Sequence, residues 1–334
     1  MRQAFGAGVL LWVAVFLPAF LFAPRQPDKP HPLLESEQQV SATVEISRGS
    51  DSEQTLRLWE EGTVREMAVE EYLRGVLRAE MGGAFHMEAL KAQTVAERTY
   101  LYYQMAAGAK AAHPSADVCA DPGCCTAYLA EEGAREKWGA AFEEYEQNIR
   151  LAVSETDNQV MYYEGEPIMA VFHSSSAGVT ATSGEVWTAD LPYLVSVESP
   201  ESADTVPNYH SVNTFSAEEF RTRFTARYPD AKLTGETAAW INDVIRSDTG
   251  RVESAVVGGV SVTGQELRSV FSLRSTAFTV ETGADSVTFR VTGYGHGVGM
   301  SQYGANTLAQ EGKSWQEILQ WYYTGITIDD YTGQ

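Results

Sequence analysis

Glycines alternate with polar and aromatic residues near the end of the chain, where residues 293–305 read GYGHGVGMSQYGA. Glycine has no Cβ and reaches positive φ, so five glycines at this spacing are expected to let another group, such as a sugar, approach the main chain closely. The side chains between them, among them His296, Gln302 and Tyr303, are suited to holding a sugar or another neutral polar ligand. A simple Gly-rich connection between a strand and a helix is the alternative interpretation.

A second chemical signal lies far upstream, where Glu80 occupies the apolar face of a predicted helix. That face consists of Leu73, Val76, Leu77 and then Glu80, at i, i+3, i+4 and i+7. The carboxyl group also lies in the last helical turn, just before a Gly-Gly stop, where the helix dipole disfavours negative charge. Both effects raise the pKa of the carboxyl group, which is the condition that a general acid needs.

The next predicted helix carries two cations on one face, because Lys91 and Arg98 are seven residues apart. These cations can orient Glu80 or bind a polar substrate. A solvated helix face is the alternative for the cations, and a structural salt bridge to one of them is the alternative for Glu80. Neither neighbouring acid is placed as a nucleophile, since Glu97 points away from this face and Glu88 is predicted to pair with Lys91.

Several motifs together resemble the stage II sporulation protein D family of peptidoglycan lytic transglycosylases, whose relatives include amidase enhancers of Gram-positive bacteria. The motifs follow the order of that family, at residues 72–81, 88–100, 173–180, 187, 192–197, 273–278 and 293–305. The resemblance covers the chain from about residue 45 to residue 330. Any one motif alone is weak, and their combination and order make the resemblance specific.

The resemblance implies a reaction that needs one carboxylic acid and no cofactor. Glu80 is expected to protonate the oxygen between N-acetylmuramic acid and N-acetylglucosamine. It then takes the proton of the muramic acid C6 hydroxyl, which closes on C1 as a 1,6-anhydro end. The resemblance also implies a glycan already stripped of its stem peptides. It implies membrane partners in the forespore-engulfment machinery, including an amidase.

The predicted substrate contacts extend over both halves of the chain. Lys91 and Arg98 are expected to hold substrate groups or to tune the acid. The other residues predicted to bind the glycan are Ser174, Ser175, Ser176, Thr180, His296, Gln302 and Tyr303. Since one glycan must touch all of them, we expect residues 293–305 to share a cleft with Glu80, and residues 174–180 to form a neighbouring wall.

The three cysteines lie close together, at Cys119, Cys124 and Cys125, and His113 precedes them. A turn at residues 121–123 allows Cys119 to pair with either of the others as a disulfide, which leaves one thiol over. A zinc site is the other interpretation, with His113, Cys119 and Cys125 as ligands and Cys124 or another group as the fourth. Some members of the resembled family carry a zinc in this loop and others lack it. Such a zinc is expected to be structural.

An apolar run over residues 4–23 predicts a membrane anchor at residues 1–24, with the region after it outside the cytoplasm. A cleaved signal peptide is the alternative. Residues 25–40 are rich in proline and polar residues and are predicted to be a tether. Residues 41–330 form the extracytoplasmic region, as one domain or as two lobes. A net charge of -21 argues against binding nucleic acid.

The predicted fold class is α+β, with mixed sheets, packed helices and Glu80 at the end of a helix. Strands are predicted at residues 41–47, 55–58, 159–163, 168–173, 251–257, 278–281 and 286–293. Helices are predicted at residues 69–81, 87–108, 130–137, 146–155, 217–228, 264–271, 301–310 and 315–323. The last of these begins with a capping box at residues 314–317.

Two functions from other classes stay open at this point. The chain can be a non-catalytic enhancer that binds glycan and activates a separate amidase. It can also be a zinc amidase that uses His113 and the thiols, although thiolate-rich zinc sites are usually closed and structural.

Overall fold

The structure is a computed structural model that describes residues 50–187 and 189–333. The predicted anchor at residues 1–24, the tether at 25–40 and the strand at 41–47 lie outside these ranges. Within them, no helix has the length and apolar character needed to cross a membrane. The division of the region after residue 40 into one domain or two lobes stays a prediction.

Helices and short strands alternate irregularly, and the predicted α+β class is confirmed. The helices are α1 (Ser50–Glu53), α2 (Val69–Glu80), α3 (Met87–Ala107), α4 (Glu131–Trp138), α5 (Phe142–Glu155), α6 (Ser183–Val186), α7 (Ala217–Arg227), α8 (Gly264–Phe271), α9 (Gln302–Gln310) and α10 (Trp315–Tyr322). The strands are β1 (Thr55–Glu60), β2 (Thr63–Ala68), β3 (Val118–Cys119), β4 (Gln159–Tyr163), β5 (Glu166–Pro167), β6 (Phe172–His173), β7 (His210–Ser216), β8 (Ile241–Arg246), β9 (Val252–Val257), β10 (Val260–Thr263), β11 (Phe278–Thr282), β12 (Ser286–Thr292), β13 (Met300–Ser301) and β14 (Thr327–Asp330).

The strands form small sheets with the orders β2-β1-β3, β10-β9-β8, β11-β12-β7, β13-β6 and β14-β4-β5. Neighbours are antiparallel except in the pairs β1–β3 and β6–β13, which are parallel. The pair β6–β13 joins Phe172 to Met300 and His173 to Ser301. It therefore brings the start of the serine-rich motif beside the end of the glycine-rich segment.

Every predicted helix is present, and the capping box before α10 is confirmed by hydrogen bonds between Ser314 and Glu317. The largest difference is at α5, which begins four residues earlier than predicted, at Phe142, a residue that is buried. The strand predicted at residues 168–173 is wrong over 168–171. There the Ala170 and Val171 N–H groups donate two residues back, so the main chain turns instead of extending.

The described residues pack into three hydrophobic clusters. The largest is built on α3 with parts of α5, α9, α10 and β4. A second cluster joins α2 to the sheet of β1 and β2. The third uses only residues 215–291. Because α3 is surrounded by other elements, most of its side chains are buried, including polar ones.

The helix that carries Glu80 ends for a local reason. Its residues Leu73, Val76 and Leu77 are buried, as the apolar spacing predicts. At its end the Gly82 N–H donates to the carbonyl of Leu77, and Gly82 has a φ of 73°, which favours glycine. The chain therefore leaves the helix immediately after Glu80, and that side chain stays at the helix end.

Candidate active site

A cleft of about 1010 Å³ opens beside the end of α2. Its walls come from the segment after Glu80, the loop around residues 122–129, the junction of α4 and α5, and the motifs near residues 172 and 300. Of the residues predicted to act on or bind a glycan, the cleft is lined by Glu80, Ser174, His296, Gln302 and Tyr303. The predicted meeting of the two distant motifs in one cleft is confirmed.

Glu80 is half-buried in the wall of the cleft, and its Oε1 accepts the N–H of Ala127 at 3.2 Å. The Gln302 side chain lies beside the same carboxyl, and its buried Nε2 makes no well-formed hydrogen bond within the described residues. Burial raises the pKa of Glu80, and this outweighs the opposing effects of Ala127, Gln302 and Lys137. The predicted raised pKa is confirmed in direction.

In the glycine-rich segment, the groups that lie close to the glycine main chain belong to the protein itself. A Cβ on Gly295, which has a φ of 120°, would lie 2.6 Å from the Cβ of His173. A Cβ on Gly299 would lie 2.1 Å from the carbonyl oxygen of Val171. These glycines therefore serve the close contact between the two motifs, which replaces the expectation that they let a sugar approach.

His296 lies in the cleft wall with its ring nitrogens engaged by the main chain. Its Nδ1 accepts the N–H of Val298 at 3.1 Å, and the carbonyl of Phe172 contacts the ring as a hydrogen-bond partner. Burial lowers the pKa of His296 to about 4, so the imidazole is neutral at neutral pH. The ring packs against Trp187 at 5.2 Å between centroids. His296 therefore offers a ligand its ring surface rather than a hydrogen bond.

Most of the serine-rich motif is buried behind the cleft wall and does not line the cleft. Ser174 lines the cleft, and its carbonyl accepts the N–H of Tyr303 at 3.1 Å. Ser175, Ser176 and Thr180 are buried and do not line it. The predicted glycan contacts of these three residues are corrected for that reason.

A buried carboxylate that the sequence analysis missed fixes this motif. Glu201 accepts the N–H of Ser176 at 2.6 Å and the hydroxyls of Ser301 at 2.5 Å and Ser199 at 2.6 Å. Gly304 passes close to the same group, since a Cβ there would lie 2.6 Å from Glu201 Oε2. Glu201 therefore joins the serine-rich motif to the start of α9, which carries Gln302 and Tyr303.

The two cations of α3 do not line the cleft. Lys91 pairs with Glu88 at 2.8 Å, as predicted, and with Glu155 at 2.6 Å. Arg98 is fully buried, and its guanidinium donates to Asp51 at 2.5 to 3.0 Å. Because α3 is enclosed by other elements, its cations are satisfied inside the fold. The structure therefore gives both a structural role in place of the predicted substrate role.

The four predicted metal ligands converge. The ligand atoms of His113, Cys119, Cys124 and Cys125 all lie within 4.8 Å of one another. His113 Nε2 is 3.4 Å from the Cys125 sulfur, and its Nδ1 is 3.2 Å from the carbonyl of Ala116. A carbonyl that holds Nδ1–H leaves Nε2 as the ligand atom, which is the usual support for a metal-bound histidine. The residues fit a tetrahedral zinc, which takes such ligands at about 2.0–2.3 Å.

Comparison with known proteins shows the family to which the chain belongs. The sequence model of a family described as Stage II sporulation protein matches residues 60–163. Stage II sporulation protein D of Bacillus subtilis (strain 168) is 32% identical over 342 residues, covering 99% of this chain and 96% of the relative. The chain belongs to the stage II sporulation protein D family. The resemblance predicted from the motifs is confirmed.

Two further relatives widen the comparison. Stage II sporulation protein D of Bacillus amyloliquefaciens is 34% identical over 268 residues, covering 80% of this chain and 76% of the relative. The amidase enhancer of Bacillus subtilis (strain 168) is 28% identical over 315 residues, covering 78% of this chain but only 40% of that relative. The similarity to the enhancer therefore concerns one part of a longer protein.

A second carboxyl group lies behind the cleft of this family member. Glu97 is buried, and its Oε1 accepts the amide of Gln93 at 2.7 Å. Burial and the neighbouring charge of Glu80 raise the pKa of Glu97 well above its ordinary value. Glu97 does not line the cleft, so a ligand there meets only one of the two carboxyl groups.

The remaining walls are largely aromatic, and of these aromatic residues only Tyr303 was predicted to contact the glycan. The cleft-lining aromatic residues are Phe85, Tyr100, Tyr128, Trp138, Tyr145, Phe172, Tyr294 and Tyr303. Phe85 and Tyr303 pack at 5.2 Å between ring centroids. Lys137 also lines the cleft, at the end of α4. Only tertiary packing brings these residues together, and outside residues 293–305 no local pattern in the sequence marks them as cleft residues.

Proposed function

We propose that this protein is a lytic transglycosylase that cleaves bonds between N-acetylmuramic acid and N-acetylglucosamine in peptidoglycan stripped of stem peptides. The observation that carries the proposal is Glu80, a carboxyl of raised pKa in the wall of an aromatic-lined cleft. A protonated carboxyl is a general acid, and aromatic rings suit the faces of sugars. Membership of a sporulation protein family makes peptidoglycan the fitting glycan.

In the proposed reaction Glu80 donates its proton to the bridging oxygen as the bond from C1 of N-acetylmuramic acid to that oxygen breaks. The oxygen leaves as the 4-hydroxyl of N-acetylglucosamine. The C6 hydroxyl oxygen of the same muramic acid then bonds to C1, and its proton returns to Glu80. The carboxyl ends as it began, and no water is consumed. One carboxyl group suffices, unlike the pair of a hydrolysing glycosidase.

The setting is part of the same proposal. The apolar run at residues 4–23 supports one N-terminal anchor with the cleft outside the cytoplasm. The family name supports action during sporulation, which we place at forespore engulfment. The amidase-enhancer relative supports an amidase among the membrane partners. The net charge of -21 supports the absence of a nucleic-acid partner.

Zinc enters the proposal as a structural ion. His113, Cys119, Cys124 and Cys125 would hold it, and it would fix the fold of their loop. That loop matters for the acid, because Ala127, two residues after the last ligand, donates its N–H to Glu80. The reaction itself needs no metal.

A non-catalytic enhancer of an amidase is the second candidate, favoured by the name of the 28% identical relative. It requires the same cleft to bind glycan, but it does not require the Glu80 proton. Substitution of that proton donor separates the two functions.

The test compares Glu80→Gln with Glu97→Gln in the purified full chain, kept in mild detergent and supplied with stripped glycan. Glu80→Gln should lower turnover by about 10²–10⁴-fold or more, the contribution of general acid catalysis. Glu97→Gln removes the neighbouring buried carboxyl but keeps an acceptor for Gln93, so its turnover should stay near that of the wild type. Wild-type turnover by Glu80→Gln, or an equal loss in both variants, would contradict the assignment.

A further inference from the structure

Among the residues that the structure describes, one carboxyl group and one ammonium group line the cleft. Among residues 50–187 and 189–333, only Glu80 and Lys137 bring side chains to its wall that are ordinarily charged at neutral pH. The histidines in the wall, His173 and His296, are neutral there because burial lowers the pKa of both. The chain as a whole carries a net charge of -21. Of the described lining residues, Lys137 is therefore the one whose side chain offers an anionic ligand a positive charge in the cleft wall, while the Arg274 guanidinium lies behind the Tyr294 ring at 4.4 Å from its centroid.

Lys137 is held near the acid by packing. It precedes Trp138, the last residue of α4, whose ring lies against the turn that follows α2. A Cβ on Gly82 would lie 3.5 Å from that ring, and Gly82 is two residues after Glu80. Both side chains line the same cleft, where burial raises the pKa of Glu80 and the positive charge of Lys137 opposes that rise. A cation near the acid is therefore built into the fold.

A glycan without stem peptides carries its own charge close to the bond that breaks. Its N-acetylmuramic acid has a lactyl ether on O3 that ends in a carboxylate, and O3 is two carbons away from the reacting C1. When the stem peptide is present, an amide replaces that carboxylate and the charge is lost at this point. A cation beside the acid can therefore distinguish stripped from peptide-bearing strands.

We propose that the Lys137 ammonium binds the free lactyl carboxylate of N-acetylmuramic acid and so selects glycan strands without stem peptides. This inference rests on the proposed function, because it assumes that peptidoglycan glycan occupies the cleft. The inference adds to that function the substrate group that the Lys137 ammonium recognises. A charge-assisted hydrogen bond to a carboxylate is among the stronger single contacts available to a ligand.

The test measures binding in the Glu80→Gln background, where turnover should be slower by about 10²–10⁴-fold or more and no acid is left for Lys137 to tune. The ligands are a short stripped glycan with free lactyl carboxylates and the same glycan with those carboxylates converted to methylamides. The variants are Lys137→Gln, Lys137→Arg and Lys232→Gln. Lys232 is an exposed lysine outside the cleft and controls for the loss of one positive charge. Titration calorimetry gives each dissociation constant.

Lys137→Gln should weaken binding of the carboxylate glycan by roughly 10- to 100-fold, the range of a lost charge-assisted hydrogen bond. It should leave binding of the amide glycan unchanged. Lys137→Arg should restore most of the affinity, and Lys232→Gln should change neither ligand.

An equal loss on both glycans, or no loss on either, would overturn the role of Lys137 while leaving the proposed function standing. Failure of the parent Glu80→Gln protein to bind either glycan, together with no cleavage by the wild type, would overturn the proposed function itself.

Discussion

Replacing Arg98 by methionine distinguishes a cation that serves the fold from one that serves the substrate. The Arg98 side chain is 0% exposed and that of Asp51 is 1% exposed. The guanidinium Nε and Nη2 both donate to the Asp51 carboxylate, and Nη1 donates to the carbonyl of Gln159 at 3.2 Å. Methionine keeps most of the side-chain volume but leaves the Asp51 carboxylate buried without its cation.

Breaking a buried ion pair in this way typically costs about 3–5 kcal/mol of the free energy of unfolding. The matched control is Arg290→Met, whose partner Glu281 and own side chain are 56% and 55% exposed. An exposed pair contributes about 0–1 kcal/mol, so this control should hardly change stability. Combining Arg98→Met with Asp51→Leu removes both charges and should recover most of the loss, because an apolar pair can replace a buried ion pair.

The assay is urea denaturation of the full chain, followed by steady-state kinetics at a temperature where each variant is folded. We expect the KM for stripped glycan to stay unchanged in Arg98→Met. A stability loss below about 1 kcal/mol accompanied by a raised KM would refute the structural role and restore the substrate role.

Two further predictions concern the metal loop and the acid. Purified protein should contain about one zinc per chain, and chelation should lower its melting temperature, because binding of a structural metal is coupled to folding; protein without zinc that shows a disulfide at Cys119 would refute this. Since burial raises the pKa of Glu80, the protonated acid should persist above the ordinary range of glutamate, and kcat/KM should fall only as pH rises through that raised value. A fall centred at an ordinary glutamate pKa would contradict the assignment, and Glu311→Gln, at an exposed residue outside the cleft, should leave the profile unchanged.

The position of Glu80 at the end of α2 could be predicted because the residues that determine it are close to it in the sequence. The apolar spacing before it and the glycines after it fix both the helix face and the helix end. The presence of residues 293–305 in the same cleft was also predicted. That prediction rested on the function expected of these residues and not on a structural argument. The structure supplies the physical link through the parallel pair of Phe172 with Met300 and His173 with Ser301.

The wrong predictions share a cause. The sequence of a helix or loop does not show which other parts of the chain pack against it. The cations on one face of α3 suggested that this face is exposed to solvent or substrate. Other elements surround that helix, however, and the Arg98 guanidinium donates to the Asp51 carboxylate. The glycines near His296 suggested room for a sugar, yet His173 and Val171 occupy that room.

The same cause explains why some residues of the site could not be predicted from the sequence at all. Lys137 and Trp138 close a helix with no unusual local pattern, and only the packing of α4 against the turn after Glu80 places them in the cleft wall. Glu201 lies in an irregular segment, and its contacts reach residues 25 and 100 positions away. Strands β7 and β8 were missed because they are edge strands whose side chains are largely exposed, so neither shows the regular apolar alternation of a half-buried strand.

The most direct test of the central claim is the mass of the ends that the wild-type chain produces from stripped glycan. Intramolecular attack by the C6 hydroxyl predicts 1,6-anhydro-N-acetylmuramic acid ends, which are lighter by one water than the ends that hydrolysis leaves. Digestion in ¹⁸O-labelled water should place no label in these ends. Reducing N-acetylmuramic acid ends that carry ¹⁸O, or no new ends at all from folded protein that binds the glycan, would contradict the account.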